Sequence, residues 1–306
     1  MAAVDSAGPA AEPGGDEVPP CPATAPPAQS PEAKITLLEP GKEPRVALRY
    51  RPQVGLGRVI TYSLSSKLTS QQSGKTTQQQ GMGFSLTVDA KIASADDKQA
   101  RFDFKVTKLE VPDVAGMPPE FMEGVRKELA VWKDVSGSMT VDNGGITQKL
   151  DVSGGGAAAV GPMHDIRVAL EQTANPLPEE PVGVGAKWEV ATVVDTGLVL
   201  RGKTVFELVS LKGKRGAVRF NIEQHSDPKP GPAVCPRPNV VVQPLSWVAS
   251  GSGERSFNLG ELISGGYDTK LQVRNESRTY VTSQGQTQKM AMKVDVELVT
   301  KMATGK

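Results

Sequence analysis

The chain has 306 residues, 35 Lys plus Arg against 34 Asp plus Glu, and a formal charge of +1, so it lacks the basic excess with which a nucleic-acid binder offsets phosphate charge. Hydrophobic residues make up 38% and aromatics 5%, a lean core for this length, and 32 Gly and 24 Pro assign much of the chain to turns and tail. No run of 18 apolar residues is present, which excludes a membrane-spanning helix.

Residues 1–44 are mostly Ala, Pro, Gly, Glu and Ser, with almost no bulky apolar residue before Ile35. Such a segment buries too little surface to offset its ordering entropy and is expected to be a disordered tail. The opening, "MAAVDSAGPAAEPGGDEVPP", has neither a basic n-region nor an apolar h-region. Taken literally, that predicts a cytoplasmic protein. Cys21 and Cys235 each sit beside proline. Pairing would tie a loop to a loose tail, so two free, inert thiols are expected.

A first β-meander half is expected over 45–160. "VALRYRPQ" reads as a short strand and "GRVITYSLSSKLTS" as a longer one, with Ile60, Tyr62 and Leu64 on one face. "QQSGKTTQQQG" reads as a polar connection and "MGFSLTVDAKIAS" as the return strand. "ADDK" is a turn, and "QARFDFKVTKLEV" carries Phe102, Phe104 and Val106 on one side. Residues 118–132, "PPEFMEGVRKELAVW", interrupt the alternation with an amphipathic helix. Phe121, Met122, Val125, Leu129 and Trp132 form its apolar stripe, opposite Glu120, Glu123, Arg126, Lys127 and Glu128. Pro118 and Pro119 suit a helix start, and Gly124 weakens the middle. The stripe has two readings: a permanent plug on the sheet, or a lid over an apolar cavity.

Residues 161–184 predict a helix, with Ile166, Ala169, Leu170 and Thr173 on one face, then an extended Pro-rich linker after Pro176. The second half, 185–306, repeats the plan of the first. "GAKWEVAT", "KTVFELVSL" and "AVRFNIEQ" echo "GRVITYSL", "GFSLTVDAKI" and "QARFDFKV". The expected architecture is mostly β: an antiparallel curved sheet or half-barrel of two related meander halves, with one or two helices on the concave face.

Motifs for chemistry fail on context. "GLVLRGKT", 197–204, matches the P-loop pattern, but Leu-Val-Leu-Arg favours strand, and the next residues, "VFELVSL", are β-like where a helix is required. His164 and His225 stand apart, without the spacing of zinc ligands. No G-x-S-x-G elbow occurs. Asn275-Glu276-Ser277 is a glycosylation sequon by pattern. No catalytic residue, metal or cofactor is assigned, and an enzyme is not expected.

"GRVITYSL", "LPEEPVGVGAKWEV", "SGSGERSFNLGELI" and "QTQKMAMKVDVELV" stand in an order in which a proline-rich LP-x-x-PV-x-VG-x-x-W stretch precedes a Gly-Ser β-meander. In this the chain, over roughly residues 45–302, resembles an uncharacterised bacterial envelope family common in myxobacteria and planctomycetes, with Trp188 the sharpest point. The resemblance implies a periplasmic or outer-membrane-associated protein of lipoprotein type; the chain departs from the family by opening without its signal. It implies no activity and no catalytic residues. The function expected is a non-enzymatic binding or carrier module for an apolar, lipid-like ligand, with Phe121, Met122, Val125, Leu129 and Trp132 facing it. The alternative is a structural or protein-interaction scaffold of the envelope, partnered by another envelope protein and without ligand.

Overall fold

The computed structural model describes residues 18–21, 32–72, 75–154, 170, 173–195, 198–237, 239–263, 265–283 and 286–305. In chain order the strands are Glu32–Glu39 (β1), Gly57–Gln72 (β2), Lys75–Gln80 (β3), Phe84–Ala95 (β4) and Gln99–Glu110 (β5). A helix, Pro119–Leu129 (α1), tightens into a 3-10 turn at Ala130–Asp134. There follow Ser136–Asp142 (β6), Thr147–Ser153 (β7), Lys187–Asp195 (β8), Val199–Lys212 (β9), Arg215–Ser226 (β10), Val234–Arg237 (β11), Val240–Asn258 (β12), Tyr267–Ser283 (β13) and Gln286–Gly305 (β14).

All pair antiparallel in one curved, open sheet ordered β1-β8-β9-β10-β12-β13-β14-β2-β4-β5-β6-β7, with β11 on β12 and β3 on β2. Two meanders, β2 to β7 and β8 to β14, are joined where β14 pairs β2. The expected mostly-β, half-barrel architecture is present, with a single short helix among the described residues.

Strict alternation selects the core face. Along β5 every second residue is buried, so Ala100, Phe102, Phe104 and Val106 enter the core. The other face carries cross-strand ion pairs such as Lys203–Glu189, Arg219–Glu254 and Arg274–Asp295. Exposed pairs of this kind add little stability; they keep that face solvated.

On the core face the rings of Trp188, Phe206, Phe220 and Tyr267 form a ladder with centroids 5.5–5.8 Å apart. Phe220 on β10 and Tyr267 on β13 stack although β12 lies between them. Gly253 of β12, opposite both Phe220 and Thr269, makes this contact fit. A Cβ there would meet Phe220 Cζ at 2.5 Å and the Asp268 carbonyl at 2.4 Å.

Segment 173–179 crosses the core instead of forming a surface linker. Thr173, Ala174, Asn175 and Leu177 are buried. Its backbone is satisfied by distant groups: Arg255 Nη1 donates to Ala174 O (2.8 Å) and Trp188 Nε1 to Pro176 O (2.9 Å). Arg49 donates to Pro178 O and Glu179 O, Asn175 N donates to Tyr50 Oη (3.0 Å), and Leu177 N donates to Gly144 O. A buried loop is tolerated only when its peptide groups are paired in this way. Of the helix expected just before it, Ile166 and Ala169 lie outside the described residues, while Leu170 and Thr173 are buried and joined by a backbone hydrogen bond.

Four local expectations differ. Within the expected tail, Glu32–Glu39 is strand, because Ala33, Ile35 and Leu37 alternate toward the core and the strand pairs β8; residues 1–17 and 22–31 lie outside the described residues. "VALRYRPQ" forms one bridge, Val46 to Val182, and otherwise no ladder, although Leu48 and Tyr50 are fully buried. "KTTQQQ" is not connection but β3, paired to β2. Finally, Cys21 and Cys235 are bonded, not free. Their Cα atoms are 5.9 Å apart, within the reach of a disulfide, and the bond ties the tail at Cys21 to β11.

Candidate functional site

β3 and β4 are one return strand broken at Gly81-Met82-Gly83, and both pair with β2. The break is tightly held. Gly81 N donates to Ser66 O, and Ser66 Oγ donates to Met82 O at 2.7 Å. A Cβ on Gly83 would lie 2.6 Å from Leu64 O, and one on Gly81 2.1 Å from Leu68 Cδ1. Only glycine allows the strand to kink this close to its neighbour.

Beside the kink opens a cleft of about 750 Å³. Leu64 and Phe84 form one wall and Leu109, Val111 and Val114 a second, with Arg126, Ala130 and Lys133 closing it from the helix side. The volume lies within the range of small-molecule sites. The helix is moored in two ways. Arg126 donates to Val111 O and pairs with Asp113, and Val106 N of β5 donates to Val135 O just past the 3-10 turn. The first contact is exposed, the second buried.

The five stripe residues separate. Met122 and Trp132 are buried at 1% exposure, Val125 and Leu129 are half-buried, and Phe121 is 49% exposed. None of the five lines the cleft. At about 100° per residue, Phe121 lies roughly 100° around the helix from Met122 and falls off the buried sector. Trp132 sits in the 3-10 turn, where it meets Phe84 edge-on at 5.4 Å. Its Nε1 has no hydrogen-bond partner, a cost in burial that the ring's packing offsets. The face toward the cleft is instead Arg126, Ala130 and Lys133. Of these only Arg126 was marked in the sequence, on the polar side of the helix; Ala130 and Lys133 belong to the 3-10 turn that follows.

A second polar centre lies deep in the core. Arg255 is 7% exposed, its guanidinium 4.6 Å above the Tyr267 ring, with no carboxylate among the described residues paired to it. Burial lowers its proton affinity. Burial likewise pushes the Tyr50 phenol up to about 12, against the opposing pull of the Asn175 hydrogen bond and the Arg255 charge. Among the described residues the Asn175 side-chain amide, Arg255 Nε and Thr269 Oγ1 lack hydrogen-bond partners. Arg255 and Tyr50 anchor segment 173–179 through Ala174 O and Asn175 N.

The P-loop pattern is strand from Val199 onward, and Gly197 lies outside the described residues. Lys203 pairs with Glu189 at 2.8 Å and Arg201 with Asp227 at 2.7 Å, both on the solvated face. His225 is exposed on β10, and His164 lies outside the described residues. Among the described residues no three His, Cys, Asp or Glu side chains converge, and no helix is long and apolar enough to cross a membrane. No family model matches the chain, and no curated protein matches it.

Proposed function

We propose that this protein is a non-enzymatic, extracytoplasmic binding or carrier module for an apolar, lipid-like ligand held in the cleft beside α1. The observation that carries this reading is the cleft itself. It has about 750 Å³ of space walled by Leu64, Phe84, Leu109 and Val114 on paired strands and their loop, and it is closed by a helix whose mooring to the loop is an exposed, weak ion pair. The Cys21–Cys235 disulfide supports a location outside the reducing cytoplasm. The competing reading, a scaffold with a filled core, is supported by Trp132 and Val135, which are buried in the main cluster beneath the helix.

Native mass spectrometry with lipid extraction on protein from an oxidising compartment tests the proposal. Ala130 is exposed and faces the cleft, so Ala130→Trp fills the space without touching the core. A bound lipid that disappears in Ala130→Trp, at unchanged melting temperature, supports the carrier. A bare mass in both proteins, together with failure to take up an added apolar probe, leaves the scaffold.

A further inference from the structure

We propose that the ligand is a single-chain amphiphile with a monoanionic head, in chemical class a long-chain carboxylate, whose head is read by Lys133. This rests on the carrier reading above and adds the identity of the head group. Four charged residues line the cleft: Glu110, Asp113, Arg126 and Lys133. Glu110 is paired with Lys108 at 2.8 Å, and Asp113 with Arg126. Arg126 also donates from Nε to Val111 O, so its donors face the loop. Lys133 has no ion-pair partner among the described residues and is exposed. Among the described residues the cleft therefore carries one uncompensated charge, and it is positive.

The rest of the lining grades this charge into an apolar slot. Ser63, Ser65, Ser85 and Gln80 are uncharged, and Ser63 Oγ already donates to Ser85 Oγ at 3.3 Å. Leu64, Phe84, Leu109 and Val114 offer surface for a hydrocarbon chain. An ammonium on a flexible stem at the rim of such a slot keeps its head in water while its methylenes cover apolar surface, and it gains a partner when an anion arrives. One free ammonium matches a monoanion. A phosphate monoester, carrying close to two charges, would bring part of its charge into the cleft without a counter-charge, which is unfavourable. A neutral alcohol of the same chain would forgo the charge-assisted hydrogen bond, the stronger kind.

The test is equilibrium binding of palmitate, hexadecanol and a palmitoyl lysophosphatidic acid, each below its aggregation limit, to the full disulfide-bonded chain. Wild type, Lys133→Met and Lys133→Arg are compared, and since Lys133 is exposed the variants are expected to fold. The expected result is palmitate bound about tenfold more tightly than hexadecanol by wild type, no preference in Lys133→Met, and the preference kept in Lys133→Arg. Equal affinity for acid and alcohol in wild type overturns the anionic head and leaves the carrier standing. Preference for the phosphate monoester overturns the carboxylate. A palmitate preference surviving in Lys133→Met overturns Lys133 as the reader. Failure of all three to bind sinks this inference and the carrier together.

Discussion

Tyr50 shows how one side chain links burial, a threaded backbone and pH. Its ring is 2% exposed and its hydroxyl accepts a hydrogen bond from Asn175 N. With the folded pKa raised from 10.0 to about 12, stability is intact below the unfolded value. It falls as pH rises through this window, because the unfolded chain releases a proton that the folded one retains. The loss approaches about 2–3 kcal/mol at the top of the window. Urea unfolding at neutral pH and at points within the window from 10.0 to about 12 measures it. Tyr50→Phe is expected to flatten the alkaline decline while starting about 1 kcal/mol lower, having lost the acceptor for Asn175 N. Arg255 illustrates the companion case. Its charge is placed over Tyr267 and against Ala174 O, so it acts as a clamp on backbone.

Among the elements, α1 is defined more by its neighbours than by its own propensity. Gly124 sits in mid-helix with open space around the position of a Cβ, so Gly124→Ala is expected to stabilise the protein by about 0.5–1 kcal/mol. A rise in the denaturant midpoint would show it; a fall would mean that the helix is not the ground-state conformation. At β11 the Cys21–Cys235 bond joins residues 214 positions apart. Reduction, or Cys235→Ser, is expected to cost about 2–4 kcal/mol. The single variants Cys21→Ser and Cys235→Ser and the double variant should lose the same amount, as calorimetry would record, since each removes the same bond.

The meander strands and this helix were legible because periods of two and 3.6 are written directly in residues such as Phe102, Phe104 and Val106, or Met122 and Leu129. The pairing of Cys21 was not legible, because nothing near it in the chain reports a partner 214 residues away. Segment 173–179 read as a linker since Asn and Pro favour loops. Its burial depends on Arg49, Tyr50, Trp188 and Arg255, none of them near it in sequence except Trp188. The cleft was half legible. The helix marked the neighbourhood, but the space itself comes from the Gly81-Met82-Gly83 kink, which as a sequence says only turn.

At the scale of the whole molecule, the sheet is held by contacts of very different reach. Most strands pair with the next in the chain, whereas β2 pairs with β14 across nearly the whole chain, in a register running from Val59–Gly305 to Gln71–Lys293. Ordering such a contact is slow. It also sets a timetable for synthesis on the ribosome. β2 is among the earliest strands to emerge, and its partner along that side is made after every other strand described. Through that interval β2 presents a row of unpaired peptide groups to a crowded cell, the situation in which nascent sheets aggregate. The composition of its outer half answers this: Ser65, Ser66, Lys67, Thr69, Ser70 and Gln71 surround a single bulky apolar residue, Leu68. A strand that must wait for its neighbour is written in residues that water can keep.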